Sequence, residues 1–172
     1  MVTESFVAVL MGSDSDLSTV QHTLDILERL EIPWEVKITS AHRTPEDTRH
    51  FVEDAEQRGC AIFIAAAGLA AHLAGTVAAL TVRPVIGIPI DAGPLGGQDA
   101  LFSTVQMPGG IPVACVAIGK PGATNAGWLA AQILAIDNPE LEKHLRQARQ
   151  SNAEGVRNKN RALQTKLGLD PP

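Results

Sequence analysis

The sequence predicts an α/β fold: a three-layer α/β/α arrangement around a doubly wound, five-stranded parallel sheet, with a helical extension at the C-terminus. Three observations predict it. Short apolar runs alternate five times with segments of helical period. Most of these runs are apolar at nearly every position, as strands covered on both faces must be. The junctions after the first three runs are rich in Gly, Ala, Ser and Asp, residues that turn a strand into the start of a helix. Crossovers are right-handed, and the reading takes the flavodoxin-like order 2-1-3-4-5, whose switch point lies between the first and third strands.

Phe6 to Met11 is the first strand, bounded by Gly12. Met11-Gly12-Ser13-Asp14-Ser15-Asp16 then turns the chain, the glycine being read as the residue that makes the turn tight. Leu17, Val20, Leu24, Leu27 and Leu30 form one apolar stripe on the helix that follows. Ser13 and Asp16 have the shape of a capping box, but four polar side chains on one turn exceed what a cap requires. Two readings stand for this turn, a helix cap and an anion site.

Trp34 to Thr39 alternates apolar and polar residues, which suits a strand near the sheet edge with one face less buried. After Ser40-Ala41-His42-Arg43, Thr44 as N-cap, Pro45 at the first position and two acids start a helix that Gly59 stops. Cys60 to Ala65 is the third strand, and the small residues from Ala66 to Gly75 lead into a helix from about Ala70 to Leu80. Val85 to Ile90 is the fourth strand, Asp91 to Asp99 a long loop, and Pro112 to Ile118 the fifth strand. An Ala-rich helix follows over about 124–136, and Asn138-Pro139 opens a last, highly charged helix. The tail from Leu167 to Pro172 is expected to be loose. The chain is thus read as a single domain, 1–172, with a catalytic α/β core over about 6–136 and a C-terminal helix over about 139–165.

Composition narrows the function. A net charge of −5, 3% aromatic residues and no Tyr argue against nucleic-acid binding. No run reaches the roughly 18 apolar residues that span a bilayer, and the first residues carry no signal-peptide pattern. The expectation is a soluble, cytoplasmic protein. Cys60 and Cys115 are isolated, so neither a metal site nor a disulfide framework is expected.

Of five histidines, His22, His50 and His144 fall among charged neighbours in helices, as solvated residues do. His42 and His72 sit at the carboxyl edge of strands beside small residues, where a general acid/base would stand. Arg43 could fork onto a phosphate, or pair with Glu46 or Asp47. Asp16 could accept from sugar hydroxyls. The phosphate-binding G-x-x-x-x-G-K-[ST], the dinucleotide G-x-G-x-x-G and the hydrolase G-x-S-x-G are all absent. A phospho-receiver module shares this strand order, but the third strand ends in Ala65-Ala66-Ala67-Gly68, without the phospho-acceptor Asp.

The set GSDSD, SAHRTPE, AAGLAAHLAG, ALFSTVQMPGGIPV and AIGKPGATNAGWLAAQILA, collinear over about residues 6–150, resembles the class I N5-carboxyaminoimidazole ribonucleotide mutases of purine biosynthesis. The resemblance implies an isomerase without metal or organic cofactor. It would move a carboxylate from the exocyclic nitrogen of its ribonucleotide to ring carbon C4 through transient carbon dioxide. His42 would be the general acid/base. Gly12 and Ser13 would bind substrate, Asp16 would hold the ribose, and Arg43 with Ser15 and Ser40 the phosphate. Gly68, Ala71, His72 and Leu73 would line the base and the carbon dioxide. The resemblance also implies a homo-octamer. Three stretches depart from the commonest pattern of the family: Leu69 stands where glycine is frequent, Ala74-Gly75-Thr76 replaces Pro-Gly-Met, and the loop at Asp91 differs.

Overall fold

The computed structural model describes residues 5–169, which gather into two compact units that divide after Ala131. The first is built on β1 (Phe6–Met11), β2 (Trp34–Ile38), β3 (Cys60–Gly68), β4 (Val85–Ile90) and β5 (Ala114–Cys115). All neighbouring strands are parallel, in the order β2-β1-β3-β4-β5, as the sequence predicts. Helices α1 (Leu17–Arg29), α2 (Pro45–Gln57), α3 (Leu73–Ala78), α4 (Gln98–Val105) and α5 (Gly119–Leu134) surround the sheet.

β1 is buried at every position because it has a strand on each side and helices on both faces. Phe6, Ala8 and Leu10 pack with Val52 and Ala55 of α2, Phe63 of β3 and Leu73 and Val77 of α3. Val7 and Val9, fully buried, point by strand alternation to the opposite face. There α1 presents the buried stripe Val20, Leu24 and Leu27, and Thr23 Oγ1 donates to the Ala123 carbonyl of α5 at 2.8 Å. Each such buried aliphatic side chain contributes about 1.5–3 kcal/mol.

β2 lies at the sheet edge, and the face it leaves open is the apolar one. Trp34, Val36 and Ile38 are all exposed, Ile38 by 51%. Glu35 on the other face is gripped by both terminal nitrogens of Arg58, which also reaches Asp54 at 2.7 Å. That guanidinium at the end of α2 ties the polar face down and leaves the apolar side chains uncovered.

The remaining differences from the sequence have local causes. β3 runs on to Gly68 because Ala67 and Gly68 pair with Pro89 and Ile90 of β4, and α3 is correspondingly shorter than expected. β5 keeps only Ala114 and Cys115 instead of residues 112–118, since Pro112 has no N–H to give and the strand has one neighbour. α4 occupies residues to which the sequence assigns no helix, beginning within the expected loop, and α5 starts at Gly119, five residues early.

The second unit holds the end of α5, a 3-10 turn (Ala135–Asp137) and α6 (Pro139–Lys166). Asn138 caps α6 by accepting from Leu141 N–H at 3.1 Å, and Pro139 takes the first helical position. Residues 170–172 of the expected loose tail lie outside the described residues. No helix among the described residues is long and apolar enough to cross a membrane.

Candidate active site

Strand register sets the site. Met11 at the end of β1 pairs with Ile38 of β2 and Ala66 of β3, so three chains leave the sheet at one level. Their loops, joined by Ala92 after β4, line an open cavity of about 600 Å³ at the switch point. Of the site residues expected from sequence, only Ala71 stays out of the lining. It is buried behind the wall, where its N–H donates to Ser103 Oγ of α4 at 3.1 Å. Its part is to tether the loop that carries His72.

Gly12 does not serve the turn. Its φ is not positive, and a β-carbon there would meet nothing closer than 3.9 Å. What its missing side chain provides is open space in the lining. Ser13 does cap, but it caps a 3-10 turn (Asp14–Asp16): its Oγ accepts from Ser15 N–H at 3.3 Å and from Ser15 Oγ at 2.9 Å. α1 begins only after Asp16, whose side chain makes no capping bond. The Asp16 carboxylate accepts from Ser15 Oγ at 3.4 Å and keeps further lone pairs for a ligand. It is only 5% exposed, and this burial pushes its pKa up, against hydrogen bonds from the Ser13 backbone and Ser15 and with help from the charge of Asp14. A poorly hydrated carboxylate in a cavity wall is a strong acceptor for hydroxyls.

The second loop is folded on itself. Thr44 leaves α2 uncapped and instead accepts from Ser40 N–H at 2.9 Å, while Thr39 and Thr48 share a buried hydroxyl contact of 2.8 Å. Arg43 is held by backbone and hydroxyl groups: its N–H donates to Ser40 Oγ at 3.2 Å, and Nη2 to the Gly12 carbonyl at 3.4 Å. Glu46 pairs with Arg49 instead, at 3.5 Å, so among the described residues Arg43 has no carboxylate partner. A guanidinium beside the Ser40 hydroxyl, without a carboxylate partner among the described residues, suits an anionic ligand.

His42 Nε2 and His72 Nδ1 are 2.7 Å apart, with ring centroids 4.8 Å apart and planes at 77°. One nitrogen donates and the other accepts, so a single proton lies between them. Hydrogens on both facing nitrogens would break the bond, so the contact couples the tautomers of the two rings. Of the other histidines, His144 lies beside Glu140 at 3.6 Å on α6, and none lines the cavity.

Beyond the site residues named from sequence, Ala41, Ala67, Leu69, Ala70 and Ala92 also line the wall, and Ala41, Leu69 and Ala70 belong to loops the sequence assigns to the pocket. The first four adjoin expected residues and could have been included on that ground. Ala92 enters because Gly68 pairs with Ile90: a β-carbon on Gly68 would stand 2.5 Å from Ala92 Cβ, so only glycine lets the two loops meet. Leu69 holds φ at 55°, a left-handed backbone that costs a β-carbon-bearing residue roughly 1–2 kcal/mol.

Comparison with known proteins identifies what the chain is similar to. The family described as AIR carboxylase matches residues 6–155. The chain is 51% identical over 152 residues to the N5-carboxyaminoimidazole ribonucleotide mutase of Pseudomonas aeruginosa, covering 88% of this chain and 93% of that one. To the protein of the same name from Synechocystis it is 56% identical over 145 residues, covering 84% and 81%. A crystal structure of Treponema denticola PurE superposes with a TM-score of 0.83 at 28% identity, covering 92% of this chain and 98% of that chain.

Proposed function

The chain belongs to the AIR carboxylase family, and from that premise we infer that it is an isomerase of purine biosynthesis, an N5-carboxyaminoimidazole ribonucleotide mutase. It moves the carboxylate from the exocyclic nitrogen of its substrate to C4 of the aminoimidazole ring.

In this reading Arg43, with Ser13, Ser15 and Ser40, takes the phosphate, and Asp16 accepts from the ribose hydroxyls. Gly12 and Gly68 leave room for the nucleotide, and Leu73 closes the wall behind the base. These contacts fix the ring next to His42. As the N–C bond breaks, its electron pair stays on nitrogen, which takes a proton from His42, and carbon dioxide is freed. C4 attacks that carbon dioxide, and the C4 proton returns to His42. One imidazole gives and recovers one proton, and no net redox change or hydrolysis occurs. His72, bonded to His42, holds its ring and tautomer. The observation that carries the reading is the 2.7 Å contact between the two imidazoles on the wall of a cavity that also holds Asp16 and Arg43.

The enzyme works as a homo-octamer in the cytoplasm, where a phosphorylated substrate that cannot cross membranes is kept. The exposed apolar side chains of Trp34, Val36, Ile38 and Phe102 support burial by further copies. Sedimentation at any mass other than that of eight chains would count against the octamer. The activity is tested by supplying the N-carboxylated substrate without added bicarbonate. Conversion to the C4-carboxylated product supports it, and carboxylation of the aminoimidazole ribonucleotide alone rejects it.

A further inference from the structure

We propose that Leu69 is a positioning residue that seals the pocket wall between the loops after β3 and β4 and so keeps the released carbon dioxide for recapture; this rests on the isomerase reading above. Among the described residues only Glu31 and Leu69 carry a β-carbon at positive φ. Such a conformation persists only where the surroundings over-determine it, and it concentrates at ligand sites. Glycine at 69 would satisfy the backbone without strain, so the benefit of leucine lies in what its isobutyl group covers. That group rests on Gly93, where an added β-carbon would stand 2.6 Å from Leu69 Cδ2. Beside it, Ala92 fills the space over Gly68. Leu69 thus bridges two loops on the cavity wall, three residues from His72, while remaining 52% exposed.

The chemistry gives that bridge a purpose. Carbon dioxide is small, apolar and a weak hydrogen-bond acceptor, so no polar group can hold it, and only a closed apolar wall keeps it beside C4. If it escapes, water adds to it to give bicarbonate and a proton. The nitrogen has by then taken its proton from His42, so the aminoimidazole ribonucleotide is left as a by-product. Leu69 decides the ratio of transfer to leak and touches neither the phosphate nor the proton.

The test uses substrate isotopically labelled at its carboxylate carbon, in buffer containing unlabelled bicarbonate, with the uncatalysed decay subtracted. Wild-type enzyme keeps most of the label in its product. Leu69→Gly keeps the backbone conformation and a thermal midpoint at or above wild type, but yields several-fold more by-product per turnover and loses label, with KM little changed. Gly93→Ala, whose new β-carbon displaces the leucine, leaks in the same way with residue 69 intact. Wild-type partitioning in both variants would overturn the proposal, as would a wild-type enzyme that isomerises without retaining label. A wild-type enzyme that forms no C4 product at all would overturn the isomerase reading with it, and that outcome is distinct from the other two.

Discussion

His42, on the loop after β2, and His72, on the loop after β3, meet at 2.7 Å across the open end of β1. Neither loop brings its imidazole there alone, since the contact needs both strands in register with Met11. His72→Ala removes the partner and leaves the His42 ring free to turn. With a neutral hydrogen bond contributing about 0.5–1.5 kcal/mol, turnover should fall roughly 2- to 10-fold. Steady-state turnover of the folded variant checks this, and a wild-type value would mean that the two rings act independently.

Asp16 should show a conflict between stability and function. Its folded-state pKa lies above the unfolded value, so the native state prefers the protonated acid. The stability this contributes is present below the unfolded value and is lost as pH rises through the folded one. At neutral pH the ionised carboxylate is therefore a cost, and Asp16→Asn should raise the thermal midpoint while weakening substrate binding. On acidification through the carboxylate range to about pH 3 the difference in midpoint should vanish. A gap that widens on acidification would mean that the folded state favours the ionised form of Asp16.

Gly12→Ala separates fold from site. With ordinary space around its β-carbon and a permitted φ, the change should shift stability by no more than about 1 kcal/mol, in the stabilising direction if at all. The new methyl group would enter the cavity, so KM should rise. Equilibrium denaturation with parallel kinetics checks both halves. A loss of stability without a change in KM would return Gly12 to a purely structural role.

Much of this was legible in the sequence, and the losses have identifiable causes. The runs at Phe6, Cys60 and Val85 read as buried strands because strands covered on both faces are continuously apolar. α4 escaped because Gln98–Val105 is only eight residues long and carries a weak apolar stripe after a glycine-rich loop. β5 was overdrawn because an apolar run says nothing about how many neighbours a strand has. In the site, strand order placed the three loops together, but register was needed to add Ala92 and to take out Ala71. The alternative partners for Arg43 could be separated only by coordinates, since Glu46 and Asp47 are as near in sequence as Ser40. Glu31 and Leu69 both hold a left-handed backbone, Glu31 just past the end of α1 and Leu69 on the cavity wall, and the sequence signals neither.

In the proposed mechanism His42 carries the proton between nitrogen and C4. The most direct measurement of this is the turnover of His42→Asn on the N-carboxylated substrate, with ligand affinity and thermal midpoint determined on the same preparation. Proton transfer by a placed side chain contributes about 10²–10⁴-fold, so turnover should fall by that factor while affinity and midpoint stay near wild type. Near-wild-type turnover in a variant that binds and folds normally would contradict the account.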